Sequence, residues 1–125
     1  MIYYFLPGTG IFGGIKMGYQ FVDSLNTIGI PACIASPEGL AAQWFSSEAP
    51  VVDRGVVLEN WTSNDWAVFS LPNDYEILRS VCGQLVYHCQ GTDPEIDAVL
   101  GDESMTIVTC WNQATDYVSH RGREP

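Results

Sequence analysis

Apolar positions along the chain fall into short unbroken runs, separated by polar stretches marked with glycine and proline. Ile2 to Leu6 is the first run, halted by Pro7 and Gly8. Pro31 to Ala35, Trp66 to Ser70, Leu85 to Cys89 and Met105 to Thr109 are further runs. A short run without alternation fits a strand buried on both faces, as a parallel sheet requires. Between the runs the spacing changes to three and four. Gly18, Phe21, Val22, Leu25 and Ile28 make one apolar helical face, and Gly29 offers a left-handed stop. Ser36 before Pro37 predicts a helix start, with a short helix through Leu40, Ala41, Trp44 and Phe45. Pro72-Asn73-Asp74 opens a helix carrying Tyr75, Ile77, Leu78 and Val81, ended at Gly83. The polar stretch Thr92 to Glu103 predicts one helical turn or more near Pro94-Glu95-Ile96-Asp97. Trp111 to His120 predicts a last helix with Ala114, Tyr117 and Val118 inward and Gly122 at its end. In 46–64, Val51-Val52 and Val56-Val57-Leu58 fit either a short strand pair or one strand with flanking loop.

Strands and helices that alternate from end to end predict an α/β fold. The expected form is a Rossmann-like parallel sheet with helices on both faces, a single domain over 1–125. Sites in such sheets lie at the carboxyl ends of the strands. That rule selects four loops: Gly8–Lys16, Ser36–Gly39, Ser70–Asp74 and Gln90–Asp93.

The length of 125 residues leaves room for one ordinary domain. Fifteen acidic residues against five basic ones give a net charge of −10. That balance repels a phosphate backbone, so no nucleic-acid partner is expected. It equally disfavours docking on anionic lipid. No apolar run approaches the roughly 20 residues of a membrane helix. The opening MIYYFLPG lacks a basic leader and a cleavage site, so it does not read as a signal peptide. Cys33, Cys82, Cys89 and Cys110 show no metal-binding spacing, and they read as reduced, buried thiols of a cytoplasmic protein. The acids Asp93, Glu95, Asp97, Asp102 and Glu103 lack the calcium-loop order and read as a solvated loop. Trp44, Trp61, Trp66 and Trp111 fit either core packing or platforms for a sugar ring.

The densest chemistry lies after the first strand. Gly8-x-Gly10-x-x-Gly13 sits between a strand and a helix, the context of the dinucleotide fingerprint. Glycines there permit a tight turn and let a phosphate approach backbone amides at a helix N-terminus. The fingerprint also needs an acid at the end of the second strand. Here that strand ends Ala35-Ser36-Pro37, and Glu38 lies beyond a proline. An NAD- or FAD-type domain therefore stays as the alternative. Gly13-Gly14-Ile15-Lys16 admits a second reading: bare amides and one cation facing an anion or a sugar hydroxyl. It also admits a purely structural turn with a solvated lysine.

Gly13-Gly14-Ile15-Lys16, with a helix closing at Asn26-Thr27-Ile28-Gly29-Ile30-Pro31, resembles the opening of the retaining glycosyltransferase family often called family 4. Asp65 to Ser70 resembles that family's Asp-apolar strand, and Gln84 to Gly91 the strand leading into its acceptor loop. Thr106 to Trp111, with Tyr117 and Gly122, resembles its following strand and helix. The resemblance implies the N-terminal, acceptor-side domain of a GT-B enzyme, which moves a sugar from a nucleotide-sugar donor to a sugar, lipid or polysaccharide acceptor. It implies no bound metal and no cofactor beyond the nucleotide-sugar. It also implies a second, donor-binding domain or subunit, absent from these 125 residues, so the chain alone is expected to turn over little or nothing. By the same resemblance, Gly13, Gly14, Lys16 and Gly91 approach donor or substrate. Many members carry a His at the tip of the acceptor strand; here Gln90 stands there and His88 two residues earlier. Both are catalytic candidates, and a histidine buried in the sheet is the competing reading of His88. A non-enzymatic interaction domain, motivated by the low charge density, is a further alternative.

Overall fold

The computed structural model describes residues 1–125 throughout. Six parallel strands form one sheet: β1 (Ile2–Phe5), β2 (Ala32–Ser36), β3 (Val51–Asp53), β4 (Trp66–Phe69), β5 (Leu85–Cys89) and β6 (Thr106–Thr109). Their order is β3-β2-β1-β4-β5-β6. Five helices connect them: α1 (Gly13–Thr27), α2 (Arg54–Glu59), α3 (Tyr75–Val81), α4 (Asp97–Leu100) and α5 (Asn112–His120). Short 3₁₀ turns at Pro37–Gly39, Pro72–Asp74 and Pro94–Ile96 each begin with proline, whose fixed φ suits the first position of a turn. The domain is thus α/β and Rossmann-like.

The sheet separates two apolar layers, because alternate residues of each strand point to opposite faces. Tyr4, Leu6, Ile34 and Val68 meet α1 through Ile15, Tyr19 and Val22. Phe5, Ala67, Phe69, Tyr87 and Ile107 meet the buried residues of α2, α3, α4 and α5 on the other side. Val22, Val118, Leu78 and Phe69 are fully buried. Each contributes roughly 1.5–3 kcal/mol relative to an exposed state. α1 approaches β1 closely because Gly18 has no side chain. A Cβ there would lie 2.9 Å from the Tyr4 ring and 3.0 Å from Leu6. The helix ends where predicted, with Gly29 at φ 86°.

Two local expectations fail. No helix runs through Leu40 to Phe45; only Pro37–Gly39 turns. Glu38 at φ 57° and Gly39 at φ 70° reverse the chain before a second turn can form. The Ser36 hydroxyl donates to the Leu40 carbonyl, 2.7 Å away, instead of capping a helix. The chain then crosses α1 as an extended strap, and the Ala42 amide donates to the Tyr19 hydroxyl at 3.0 Å. In 46–64, Val51–Asp53 forms a strand as one reading had it, but Val56, Val57 and Leu58 lie in α2. Asp53 caps that helix by accepting from the Gly55 amide at 2.8 Å. Of the four thiols, Cys33, Cys82 and Cys89 are buried, whereas Cys110 is exposed just past β6.

Candidate functional site

The strand order reverses between β1 and β4, so the chain leaves these neighbours toward opposite faces of the sheet. A crevice must open between their carboxyl ends. The structure has a cavity there of about 510 Å³. Three of the four loops selected from sequence build it. Phe12, Gly14 and Ile15 come from the first, Ser70, Leu71 and Pro72 from the third, and Gln90, Gly91 and Asp93 from the fourth. The Ser36–Gly39 loop takes no part.

Arg54 fixes the two sides of the crevice. Its guanidinium donates to the Leu6 carbonyl at 2.8 Å and pairs with Asp74 at 3.1 Å. It also stands 5.5 Å from the centre of the Phe5 ring. One charged side chain therefore ties the end of β1 to the turn after β4. The other carboxylate oxygen of Asp74 is buried without a partner. Trp111 donates its indole N–H to the Gln90 carbonyl at 2.9 Å, which pins the loop after β5. Trp44 does the same for the glycine loop, donating to the Thr9 carbonyl at 3.2 Å. These two tryptophans hold loops at the mouth. Trp61 packs on Tyr3 and Phe5.

The floor of the cavity is the start of α1. Phe12 precedes the helix without a side-chain cap, and no acid stands in the first turn. The Gly13 and Gly14 amides have no acceptor within the protein. A helix start left this way carries partial positive charge and free donors. Gly13 and Gly8 are open above their Cα atoms. Gly10 is covered by the Phe12 ring. Gly14 faces the Gln90 carboxamide, whose Oε1 lies 2.7 Å from where a Cβ would stand.

Gln90 links this floor to the interior. Its Nε2 donates to the Tyr4 hydroxyl at 3.0 Å, and that hydroxyl is 2.6 Å from His88 Nδ1. An amide nitrogen only donates, so the Tyr4 proton is left to bond His88 Nδ1. His88 then carries its own proton on Nε2. The His88 ring is 5% exposed, and burial pushes its pKa down to about 4. It is a neutral imidazole at physiological pH. Burial also raises the Tyr4 phenol well above its ordinary value.

The six residues singled out from sequence fall in three places. Gly14, Gln90 and Gly91 line the cavity, and Gly13 begins the helix beside it. Lys16 is exposed on the first turn of α1, forms no ion pair and is not a wall of the cavity. His88 lines a different depression of about 300 Å³, with Met17, Phe21, Leu25 and Cys110, and reaches the cavity only through Tyr4 and Gln90. Sequence reasoning gave no role to Tyr87, Glu95 and Ile96 and reached Phe12 and Ser70 only through their loops; all five are cavity walls. The strand-end rule reaches Phe12 and Ser70, whereas Tyr87 depends on how neighbouring strands align and Glu95 and Ile96 on the turn after β5.

The acidic stretch after β5 divides in two. Asp97 is engaged by Arg121 at 2.6 Å and by the Tyr117 hydroxyl. Asp102 accepts from Tyr75 and Ser104 and pairs with Arg79. Those bonds hold both carboxyls below their ordinary range. Asp93 and Glu95 instead stand on the cavity wall with no protein partner for their carboxylates. Nowhere do three His, Cys, Asp or Glu side chains converge as metal ligands.

Fold and site together define an α/β domain of Rossmann-like build with a ligand-sized cavity at its topological switch point. No helix is long and apolar enough to cross a membrane. No protein-family model, curated protein or solved structure matches the chain.

Proposed function

We propose that the chain is the acceptor-side domain of a glycosyltransferase, holding a hydroxylated acceptor while a second domain or subunit presents the nucleotide-sugar. The supporting observation is the cavity at the β1–β4 switch point, floored by the uncapped start of α1. Its polar groups suit a saccharide. The Gly13 and Gly14 amides offer donors, Gln90 Oε1 and the carboxylates of Asp93 and Glu95 offer acceptors, and Ser70 offers both. Phe12, Tyr87 and Ile96 supply apolar area for the faces of a ring. In this reading the site binds and orients. Gln90 accepts from an acceptor hydroxyl and is kept in place by Tyr4. The partner brings the donor phosphates, and Lys16 stands on the exposed turn where they would approach.

The strand order and the Gly8-Gly10-Gly13 spacing favour a dinucleotide-binding reading as the second choice. Against it stand two unpartnered carboxylates on the cavity wall and the Gln90 amide pressed on Gly14.

Amide NMR titrations decide between them. Mono- and disaccharides at millimolar concentration are expected to shift the Gly13, Gly14 and Gly91 resonances, and NAD, NADP and FAD are not. Gly14→Val is expected to abolish the saccharide shifts and leave the folded spectrum in place, because its side chain must displace Gln90. Saccharides without effect, or NAD with one, overturn the proposal.

A further inference from the structure

The electrostatics of the cavity narrow the class of acceptor. Among its walls the ionisable groups are Asp93, Glu95 and the buried phenol of Tyr87. No lysine or arginine lines it. Arg54, which touches the wall residue Leu6, is consumed by that residue's carbonyl and by Asp74. Lys16 points to solvent from the exposed side of α1. The chain as a whole carries −10, so its distant field reinforces the local one.

Hydrogen-bonding groups of the walls are open to a ligand. Gln90 Oε1 and the two carboxylates present lone pairs with no protein donor directed at them. Free donors stand beside them: the two amides at the start of α1 and those of the wall residues Ser70, Gln90, Gly91 and Asp93 donate to nothing in the protein. A carboxylate accepts through two oxygens and donates nothing when ionised. What distinguishes the lining is charge: its ionised groups are carboxylates, with no lysine or arginine among them, and a cationic donor satisfies them best. A neutral hydroxyl brings one donor and no charge. A protonated amine brings three donors and a positive charge.

Resting on the saccharide reading above, we infer that this cavity takes an acceptor bearing a protonated amine among its hydroxyls, of the amino-sugar or aminocyclitol class. The hydroxyl face meets Gly13, Gly14 and Gln90. The ammonium meets Asp93 and Glu95. A uronate or sugar phosphate places its anion against the same carboxylates and is disfavoured.

The test uses four probes on the whole chain, at a pH where the amine is charged: glucosamine, glucose, glucuronate and propylamine. Dissociation constants are read from the amide shifts of Gly13, Gly14 and Gly91. Two exposed carboxylates at the lip of a solvated site are worth about a fivefold preference for glucosamine over glucose, shrinking as salt is added. Asp93→Asn with Glu95→Gln is expected to bring that ratio close to one. Both side chains are exposed and make no contacts the fold relies on. Glucose matching glucosamine, or glucuronate binding tighter than either, overturns this inference and leaves the proposed function standing. Propylamine matching glucosamine shows that hydroxyls add nothing; the saccharide reading then falls while the preference for a cation survives. A glucosamine preference unchanged in the double variant overturns the assignment to Asp93 and Glu95.

Discussion

The side chain whose chemistry is most altered by its surroundings is His88. Free imidazole titrates near 6.5, and burial brings this one down to about 4. The folded protein therefore resists a proton that the unfolded chain accepts. Between those two values the unfolded state binds more protons, so stability rises with pH through the window and its full contribution is present above 6.5. Acidification from pH 7 to pH 5 is expected to cost about 2 kcal/mol through this residue, read as a lower urea midpoint. His88→Gln, which keeps a polar group beside Tyr4, should flatten that slope. An unchanged slope would show that other groups set it. The pairing was half visible in sequence. Positions 88 and 90 share a side of their strand, so His88 and Gln90 belong together, as they do here at 3.4 Å. Tyr4, 84 residues earlier in the chain, was not visible as their partner. β4 lies between β1 and β5, and the bridge across it exists only once three strands are aligned.

Elements with long, regular patterns were readable, and short ones were not. α1 carries four buried residues over 15 positions, enough for its period to show. α2 has six residues and one buried side chain, so its valines imitate a strand. Asp53 ahead of it was a cap signal hidden by that imitation. The strap over α1 failed for a different reason: Pro37 promises a helix, but the left-handed pair after it cancels the promise. Cavity positions followed the same division. The loops at the strand ends were foreseen from topology, whereas Glu95 and Ile96 depend on a 3₁₀ turn whose direction no local pattern encodes. At this scale Gly18 gives a clean test. Gly18→Ala gains about 1 kcal/mol of helix propensity and loses about 1–3 kcal/mol by crowding the Tyr4 ring. A net loss near 1 kcal/mol is expected in chemical denaturation. Gly13→Ala, which meets nothing within 4 Å, serves as the control and should not destabilise the fold. Equal behaviour of the two variants would contradict the close approach of α1 to β1.

Across the whole molecule the covering of the sheet is lopsided. α2 to α5 all bury their apolar residues in the layer of Phe5 and Phe69, and α1 alone serves the other side. α1 and the strap reach β3, β2, β1 and β4, and α1 touches the margin of β5 through Phe21, 5.0 Å from the His88 ring. Beyond them, Thr106 and Cys110 are exposed and Val86 and Val108 half covered. β6 is also an outermost strand, paired on one side only, with β5. A strand roofed on one face and bonded along one edge has the fewest ties to break, so it should let go first when the native state fluctuates. Native-state hydrogen exchange is expected to show this as a gradient, with Ile107 and Thr109 amides trading protons for deuterons soonest and those of Tyr4 and Val68 last. The cavity lies at the slow end of that gradient, against β1 and β4. Loosening at the far margin would then leave its walls standing, and the part of the protein that breathes would be separate from the part that grips.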